Sequence, residues 1–502
     1  MRTRSLLLPG PAALAALVLT VRLGMSPLKN FDLFFHLAGG QFVLKNGFTR
    51  VDPFSVTGTA GWVPHEWGFG VLCVGLIRLL GAAGPALLVA GLVALNLMLL
   101  WKVLERAASG RRGLLAVATL AALLVVYGPT WPQERPYHLG HLLFTLAVLA
   151  IQSWRAGNDR ILWVFPFLGA IWANVHGSWL LGPALLGSTA VGQYLDERTP
   201  ESLRRTLKAV GFSVAAFLAA GLGPDGINIY LYPIHHSLLA STQTIVEWRP
   251  LNLDLASSWA YLALGGAACF AVGQSRVRKV AILLPAFVLG LAAIKVQRHA
   301  PFAAVLLALA LLEHAALTRV AGETTDTAVG AWKRFWGRVD AWTAGWSARA
   351  GGGLWPTLAL LGLVVIHAQH PLPFDQGVKR SVIPIPVFEA LRKHPPGKVL
   401  NPFVIGGPIS FFAGADYKVF IDSRNDPFPM SIHEDYDKLV WGEPGWEDAL
   451  ARYDPDYLLW DIENPGNILL DNLRVLGGWR EEARDGNYVL WIRERPTATG
   501  HP

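Results

Sequence analysis

The chain has 502 residues, of which 52% are hydrophobic and only 16% charged. Soluble domains carry about 25% charged residues, so the composition excludes a disordered chain and indicates a membrane protein with at most one soluble module. The two cysteines, Cys73 and Cys269, both lie in apolar stretches, which excludes a disulfide framework. The net charge of +7 comes from basic residues in short loops between apolar segments, a pattern that indicates membrane orientation rather than nucleic-acid binding.

A membrane-spanning helix needs about 20 mostly apolar residues, and about eleven segments of this sequence approach that length. The predicted spans lie near 6–24, 84–106, 113–129, 138–154, 161–176, 178–195, 207–223, 258–274, 279–296, 299–317 and 353–370. The first follows Arg2 and Arg4, as in a signal peptide. No small-residue cleavage site comes after it, so we predict a retained helix.

A further apolar stretch, 67–82, is ambiguous, and the charge of the loops decides its placement. If 67–82 lies along the outer interface, the basic loops, such as the one with Lys102 and Arg106, fall on the cytoplasmic side. We therefore predict that the N-terminus is cytoplasmic and that the C-terminal part is extracytoplasmic.

The last part of the chain, 371–502, has no long apolar run. Short β-like stretches alternate there with polar helix-like stretches, which predicts a small extracytoplasmic α/β domain. The β-like stretches are 398–403, 417–421, 457–460 and 488–492, and the helix-like ones include 431–440 and 444–452. Residues 1–370 form the predicted transmembrane domain, with a first outer loop at 25–83 and a cytoplasmic linker at 318–352.

Polar residues collect in the predicted outer loops rather than in the spans. They include Asp32, His36, Asp52, His65 and Glu66 in the first loop, then Arg135, His138, Asn174, His176, Glu247, Arg298 and His299. Such a distribution is typical of a polar cavity that opens to the outer leaflet. The alternative is that Arg, Lys, His and Trp at span ends are interfacial anchors. A carboxylate has no anchoring use, and Asp32 shares a face with His36 if 31–46 is helical.

Other motifs point away from soluble cofactor chemistry. The sequence from Gly221 to Gly226 matches G-x-G-x-x-G, but it follows an apolar span and contains a proline. Asp454 and Asp456 have the Asp-x-Asp spacing of nucleotide-sugar sites, but in an outer domain a turn is the better interpretation. Asp422 and Arg424 follow an apolar strand and form either a structural salt bridge or a strand end that faces the acceptor.

Five runs resemble bacterial multi-span proteins of the GT-C glycosyltransferase superfamily. They are Asp32-Leu-Phe-Phe-His-Leu-Ala-Gly-Gly40 with Val51-Asp-Pro-Phe-Ser55, His65-Glu-Trp67, Trp172-Ala-Asn-Val-His-Gly177 and Phe420-Ile-Asp-Ser-Arg424. The resemblance implies a polytopic helical fold with interfacial helices in the first outer loop. It also implies transfer of a sugar from a polyprenyl-phosphate carrier on the extracytoplasmic side, with the carboxylate after the first span, here Asp32, as the catalytic group. Many characterised members carry a second adjacent acid, whereas Leu33 follows Asp32 here.

Chemistry then suggests roles for the remaining residues. Asp32 is the predicted base, and Arg135 and Arg298 are the predicted phosphate contacts, because an Arg side chain offers a bidentate fork to phosphate oxygens. His299 and His138 are helpers. Asp52 and Glu66 are predicted catalytic residues beside Asp32. Together with His65 they shape the acceptor side or hold Mg²⁺ or Mn²⁺. The other predicted substrate contacts are His36, Asn174, His176, Glu247, Asp422 and Arg424.

All of these side chains are expected to converge on one pocket in a bacterial inner-membrane enzyme with a lipid-linked sugar as its partner. The acceptor stays unassigned. Two other functions remain open: a transporter or flippase for a lipid-linked glycan, and a non-catalytic envelope protein that binds a glycolipid. A transporter would more often show broken helices at matching positions in two halves of the chain.

Overall fold

A computed structural model describes residues 8–58, 62, 64–109, 113–238, 245–317, 335, 337–346, 352–424 and 426–495. Most of the predicted linker 318–352 lies outside these residues. The chain divides into two compact units. Unit 1 comprises Met1–Ser26, Ala86–Ile229 and Thr244–Gln369, and unit 2 comprises Pro27–Pro85, Tyr230–Gln243 and His370–Pro502.

The chain is mostly α-helical. Its helices are α1 (Pro11–Gly24), α2 (Phe31–Asn46), α3 (Trp67–Leu80), α4 (Ala83–Ala107), α5 (Gly113–Tyr127), α6 (Tyr137–Arg155), α7 (Val164–Ala173), α8 (Leu181–Glu197), α9 (Pro200–Ala219), α10 (Asn228–Leu238), α11 (Ala256–Gln274), α12 (Val280–Lys295), α13 (Ala300–Ala315), α14 (Leu354–Gln369), α15 (Phe374–Gly377), α16 (Ile385–Leu391), α17 (Gly406–Phe412), α18 (Met430–Trp441), α19 (Trp446–Tyr453) and α20 (Ile468–Leu476). Within unit 1, α11 packs on α13, α8 packs on α9 and α12, and α1 packs on α14.

Three helices of the described residues are long and apolar enough to cross a membrane. They are Ala83–Ala107, Pro200–Leu222, in which a 3₁₀ turn extends α9, and Ala256–Gln274. Shorter apolar helices include α1, α5, α12 and α14. The helical architecture is therefore confirmed, whereas the count of about eleven spans stays a prediction.

A five-stranded sheet lies in unit 2, with the strand order β2-β1-β3-β5-β4. Its strands are β1 (Lys398–Leu400), β2 (Lys418–Val419), β3 (Tyr457–Asp461), β4 (Trp479–Asp485) and β5 (Tyr488–Arg493). β1 runs parallel to β2 and β3, whereas β5 is antiparallel to β3 and β4. Each of the four predicted β-like stretches overlaps a strand. β4 was not predicted, because its run of charged residues has no apolar face to indicate a strand.

The first outer loop lies along the edge strand β2 of this sheet. The Val56 N–H donates to the Val419 carbonyl at 3.0 Å, and the Val419 N–H donates to the Phe54 carbonyl at 3.0 Å. The Lys418 ammonium adds a 2.6 Å hydrogen bond to the carbonyl of Pro53. β2 is an edge strand, and edge strands expose unpaired backbone groups. This loop segment provides hydrogen-bond partners for the backbone of β2 on its open side.

Candidate functional site

Asp32 and His36 lie one turn apart at the start of α2. The Asn30 side chain caps this helix and accepts a 2.9 Å hydrogen bond from the N–H of Asp32. Asp32 thus lies in the first helical turn, where the positive end of the helix dipole stabilises a carboxylate. Asp32 is half-buried and His36 is buried. The predicted helix 31–46 is present, and its periodicity puts both side chains on one face.

Glu66 lies between two imidazoles in unit 2. Its carboxylate oxygens are 3.6 Å from Nε2 of His36 and 3.7 Å from Nε2 of His65. The His65 ring in turn packs on Tyr232, with 4.1 Å between ring centroids. The structure therefore brings three predicted site residues together and adds Tyr232.

Tyr232 was missed because no motif contains it. His236, four residues later on α10, stacks on the Tyr232 ring with 5.4 Å between centroids. This tyrosine-histidine spacing along a predicted outer segment is the signal that could have identified the pair.

Two glycines bring α2 and α3 into backbone contact. A Cβ at Gly70 would overlap the carbonyl oxygen of His36, and a Cβ at Gly40 would overlap the backbone of Gly70. Only glycine permits so close an approach at both positions. The contact holds His36 beside Glu66, which immediately precedes α3.

Arg424 joins two distant carboxylates in a buried cluster. Its guanidinium donates to Asp52 over 2.8 and 3.0 Å and to Asp422 over distances of 2.7 to 3.0 Å. The rings of Phe54 and Trp62 flank it at 5.2 and 5.4 Å. The salt bridge expected as one alternative for Asp422 and Arg424 is thus present, and it includes Asp52.

The hydrogen bonds of Asp52 use both of its carboxylate oxygens. Besides Arg424, the N–H of Phe54 donates to it at 3.1 Å, and the Ser55 hydroxyl also donates to it. Burial alone would raise the pKa of Asp52, but the Arg424 charge and these hydrogen bonds hold it below its usual value. Burial likewise opposes the charge of Arg424, yet the two carboxylates raise its pKa. This geometry fits a fixed ion pair better than a proton acceptor.

Unit 1 contains a second cluster, made of two arginines and the 3₁₀ turn Val246–Trp248. The Arg135 guanidinium lies 2.5 Å from a Glu247 carboxylate oxygen. The Arg298 guanidinium lies over the Trp248 ring, 4.7 Å from its centroid. The Gln297 side chain donates to the Val246 carbonyl and fixes the turn. Arg135, Glu247 and Arg298, predicted from three separate loops, are thereby brought to one place.

Two predicted site histidines lie close in sequence to the arginines of this cluster. His138 is three residues after Arg135, and His299 directly follows Arg298. The buried His138 donates from Nε2 to the Gln133 carbonyl at 3.0 Å and thus fixes the loop before α6. His299 lies half-buried at the start of α13. Their predicted roles as helpers in phosphate binding stay predictions.

The Trp-Ala-Asn-Val-His-Gly run forms a local hydrogen-bond network. The Trp172 indole donates to the Ser178 hydroxyl at 3.0 Å, and that hydroxyl contacts Nδ1 of His176 at 2.6 Å. Because the Ser178 N–H also donates to Nδ1, this nitrogen is the acceptor. A Cβ at Gly140 would lie 2.6 Å from the same nitrogen, so the glycine gives the ring its space. The Asn174 amide donates to the Ala170 carbonyl at 2.7 Å.

The predicted Mg²⁺ or Mn²⁺ site requires several oxygen ligands at one point. Among the described residues, no group of three or more His, Cys, Asp and Glu side chains is placed to hold a metal ion. Asp52, one predicted ligand, is engaged by Arg424. The described residues therefore do not form such a site.

Neither a protein-family model nor a curated protein matches the sequence. Among solved structures, the chain is similar to the oligosaccharyltransferase AglB of Archaeoglobus fulgidus in complex with an inhibitory peptide and a dolichol-phosphate. That match has a TM-score of 0.56 and 12% identity over 90% of this chain and 69% of the other. The Archaeoglobus fulgidus oligosaccharyltransferase tethered with an acceptor peptide gives a TM-score of 0.53 and 11% identity, with the same coverage.

The chain also matches the structure of ArnT from Cupriavidus metallidurans bound to undecaprenyl phosphate. That match covers 98% of both chains and has a TM-score of 0.47 and 13% identity. The similarity to the archaeal enzyme is one of fold, because so low an identity does not carry over substrates or residue roles. The fold that the resemblance implies is thereby confirmed at the level of architecture: over 90% of its length, this chain shares the fold of the Archaeoglobus fulgidus oligosaccharyltransferase.

Proposed function

We propose that the protein is an integral membrane glycosyltransferase that moves a sugar from a polyprenyl phosphate to an extracytoplasmic acceptor. The GT-C fold supports membership of this enzyme class, and the archaeal neighbour was solved with a dolichol-phosphate. The observation that carries the proposal is the position of Asp32. It lies shortly after the apolar helix α1, in the first turn of α2 and one turn before His36, which contacts Glu66.

In this reaction the acceptor hydroxyl oxygen attacks the anomeric carbon of the donor sugar. The bond between that carbon and the phosphate oxygen breaks, and its electron pair leaves with the polyprenyl phosphate. Asp32 takes the hydroxyl proton, a contribution worth about 10²- to 10⁴-fold in rate. Glu66 orients His36 and His65, which contact the acceptor.

The leaving phosphate needs positive charge, which we assign to Arg135 and Arg298. Both guanidinium groups are held in place, one by Glu247 and one by the Trp248 ring. An Arg side chain can donate two parallel hydrogen bonds to phosphate oxygens and stabilise the developing charge. Substrate contacts by His138, Asn174, His176 and His299 remain part of the hypothesis.

Asp52, Asp422 and Arg424 are better assigned to positioning than to contact with the substrate. Their ion pairs fix the first outer loop against the C-terminal sheet within unit 2. We further propose an inner-membrane location in bacteria, with the N-terminus cytoplasmic and the C-terminal domain outside, because the basic loops then face the cytoplasm.

The test uses the purified full-length protein with polyprenyl-phosphate sugars and a panel of glycan and lipid acceptors. We expect release of polyprenyl phosphate by the wild type and a loss of at least about 10²-fold in Asp32→Asn. The matched control is Asp375→Asn, which removes an exposed carboxylate in the same unit. Equal turnover by wild type and Asp32→Asn would contradict the proposal. Binding of donor lipid without turnover in any variant would favour the non-catalytic alternative.

A further inference from the structure

A polar cavity of about 590 Å³ opens in unit 1, and none of the residues that line it is a predicted site residue. It lies among the C-terminal ends of α4, α6 and α13 and the residue before α12. Its charged and amide-bearing walls are Arg106, Gln152, Arg155, Asn158, Lys279 and Glu313. The proposed reaction uses none of these side chains.

The cavity carries an excess of positive charge. The Arg155 guanidinium holds both Glu313 oxygens at 2.9 and 3.2 Å, and the Lys279 ammonium lies 2.9 Å from the same carboxylate. Arg106 adds a third cation, which donates to the Ser153 hydroxyl at 3.2 Å. The lining residues therefore include three cations and one carboxylate. This excess of positive charge favours the binding of an anion.

The Arg and Lys side chains also have donors to spare. An ammonium has three N–H donors and a guanidinium has five. Within the described residues, the hydrogen bond of the Lys279 ammonium goes to Glu313 and those of Arg106 go to Ser153 and a backbone carbonyl. An anion entering the cavity can accept from both without displacing Glu313.

The Gln152 side chain also lines this cavity. Its Nε2 donates to the Val103 carbonyl at 3.1 Å, whereas its buried Oε1 has no hydrogen-bond partner among the described residues. A buried acceptor without a partner costs free energy. If the amide turns toward the cavity, Oε1 can accept from a ligand that carries a hydroxyl beside its anionic group.

We propose that this cavity binds a phosphate group that carries a neighbouring hydroxyl, as in a phosphoglycerol headgroup. Arg106 and Lys279 would contact the phosphate, and Gln152 Oε1 would accept from the hydroxyl. The loops that bear Arg106, Arg155 and Lys279 are all predicted to be cytoplasmic. Basic pockets between membrane helices on that side bind anionic lipid headgroups, and a free phosphoglycerol offers the same chemistry.

The experiment measures retained ligand on the full-length protein by native mass spectrometry. One arm supplies mixed micelles of phosphatidylglycerol and phosphatidylcholine, and another supplies glycerol 3-phosphate or inorganic phosphate. The variants are Arg106→Gln and Gln152→Glu. The second replaces the side-chain amide by a negatively charged carboxylate. Lys102→Gln is the control, because Lys102 is exposed one turn earlier on α4 and does not line the cavity.

The wild type is expected to retain phosphatidylglycerol over phosphatidylcholine by about tenfold, because the cations that line the cavity exceed its carboxylates by two charges. Both cavity variants should lose most of that preference, and Lys102→Gln should keep it. The same dependence for glycerol 3-phosphate, without lipid preference, would identify a soluble ligand. No preference in the wild type for any probe, or equal losses in Arg106→Gln and Lys102→Gln, would overturn the proposal.

Discussion

Arg424 and Asp52 are 372 residues apart in sequence, and their side chains form two hydrogen bonds of 2.8 and 3.0 Å. The pair is almost wholly buried, so the interaction is not one of solvent-exposed charges. Burying two charges is costly, and the cost is offset only where the hydrogen bonds are well formed and complete. This cluster therefore fixes the first outer loop within unit 2, together with the backbone hydrogen bonds of that loop to β2.

Replacing Arg424 should destabilise unit 2 strongly. Arg424→Met leaves Asp52 and Asp422 buried without a cation, and loss of one partner of a buried pair costs about 3–5 kcal/mol. Thermal unfolding of the detergent-solubilised protein would show this. The control is Arg380→Met, since Arg380 makes an exposed ion pair that is worth about 0–1 kcal/mol. Similar melting temperatures for the two variants would disprove the structural role of the buried pair.

A methyl group at Gly70 should force α2 and α3 apart. Its Cβ would overlap the His36 carbonyl oxygen, and overpacking of this kind costs about 1–3 kcal/mol. Gly70→Ala should therefore lower both the melting temperature and the activity, because His36 moves relative to Glu66. Gly75 lies on the same helix, and a Cβ added there would meet no atom within 4 Å. Gly75→Ala should stabilise the helix by about 0.5–1 kcal/mol; the reverse order of stabilities would contradict the packing described.

Arg298 should act on the rate of sugar transfer rather than on stability. Removal of one charged donor to a developing anion costs about 10²- to 10³-fold in kcat, so Arg298→Gln should lower kcat by that order. Arg298→Lys keeps the charge but loses the fork and the stacking on Trp248, and it should recover only part of the rate. Steady-state kinetics with a polyprenyl-phosphate sugar would separate kcat from KM. An effect on KM alone would assign Arg298 to ground-state binding.

Asp426 should make stability depend on pH. Burial raises the pKa of its carboxyl from 3.8 to about 7, although the Arg424 charge opposes the shift. Between about pH 4 and 7 the folded protein therefore holds a proton that the unfolded chain has released. Stability contributed by this group falls as pH rises through that window and is level above it.

Asp426→Asn removes this titration and keeps the shape of the side chain. Its stability advantage over the wild type should grow from pH 4 to pH 7 and then stay constant, as measured by melting temperatures across the range. Parallel curves for the two proteins would show that the Asp426 carboxyl titrates normally.

The sequence predicted the local features of this protein well, because each depends on neighbouring residues. Four-residue spacing put Asp32 and His36 on one face of α2, and short β-like runs rich in apolar residues indicated β1, β2, β3 and β5. β4 was not predicted, since an edge strand with charged residues on both faces has no such pattern. Tyr232 was not predicted either, because its contact with His65 depends on where α10 packs and not on the residues next to Tyr232 in sequence.

Composition and periodicity by themselves predicted apolar helices with most of the charge near their ends and a C-terminal part of mixed α/β structure. The reason is that burial of apolar surface and backbone hydrogen bonding act over a few turns. Tertiary packing alone decided that Asp52 pairs with Arg424, that Glu66 lies between two imidazoles and that Arg298 stacks on Trp248. Apart from the contact between the neighbouring residues His65 and Glu66, these contacts join segments far apart in sequence, so the choice of partner follows from which helices and strands approach one another.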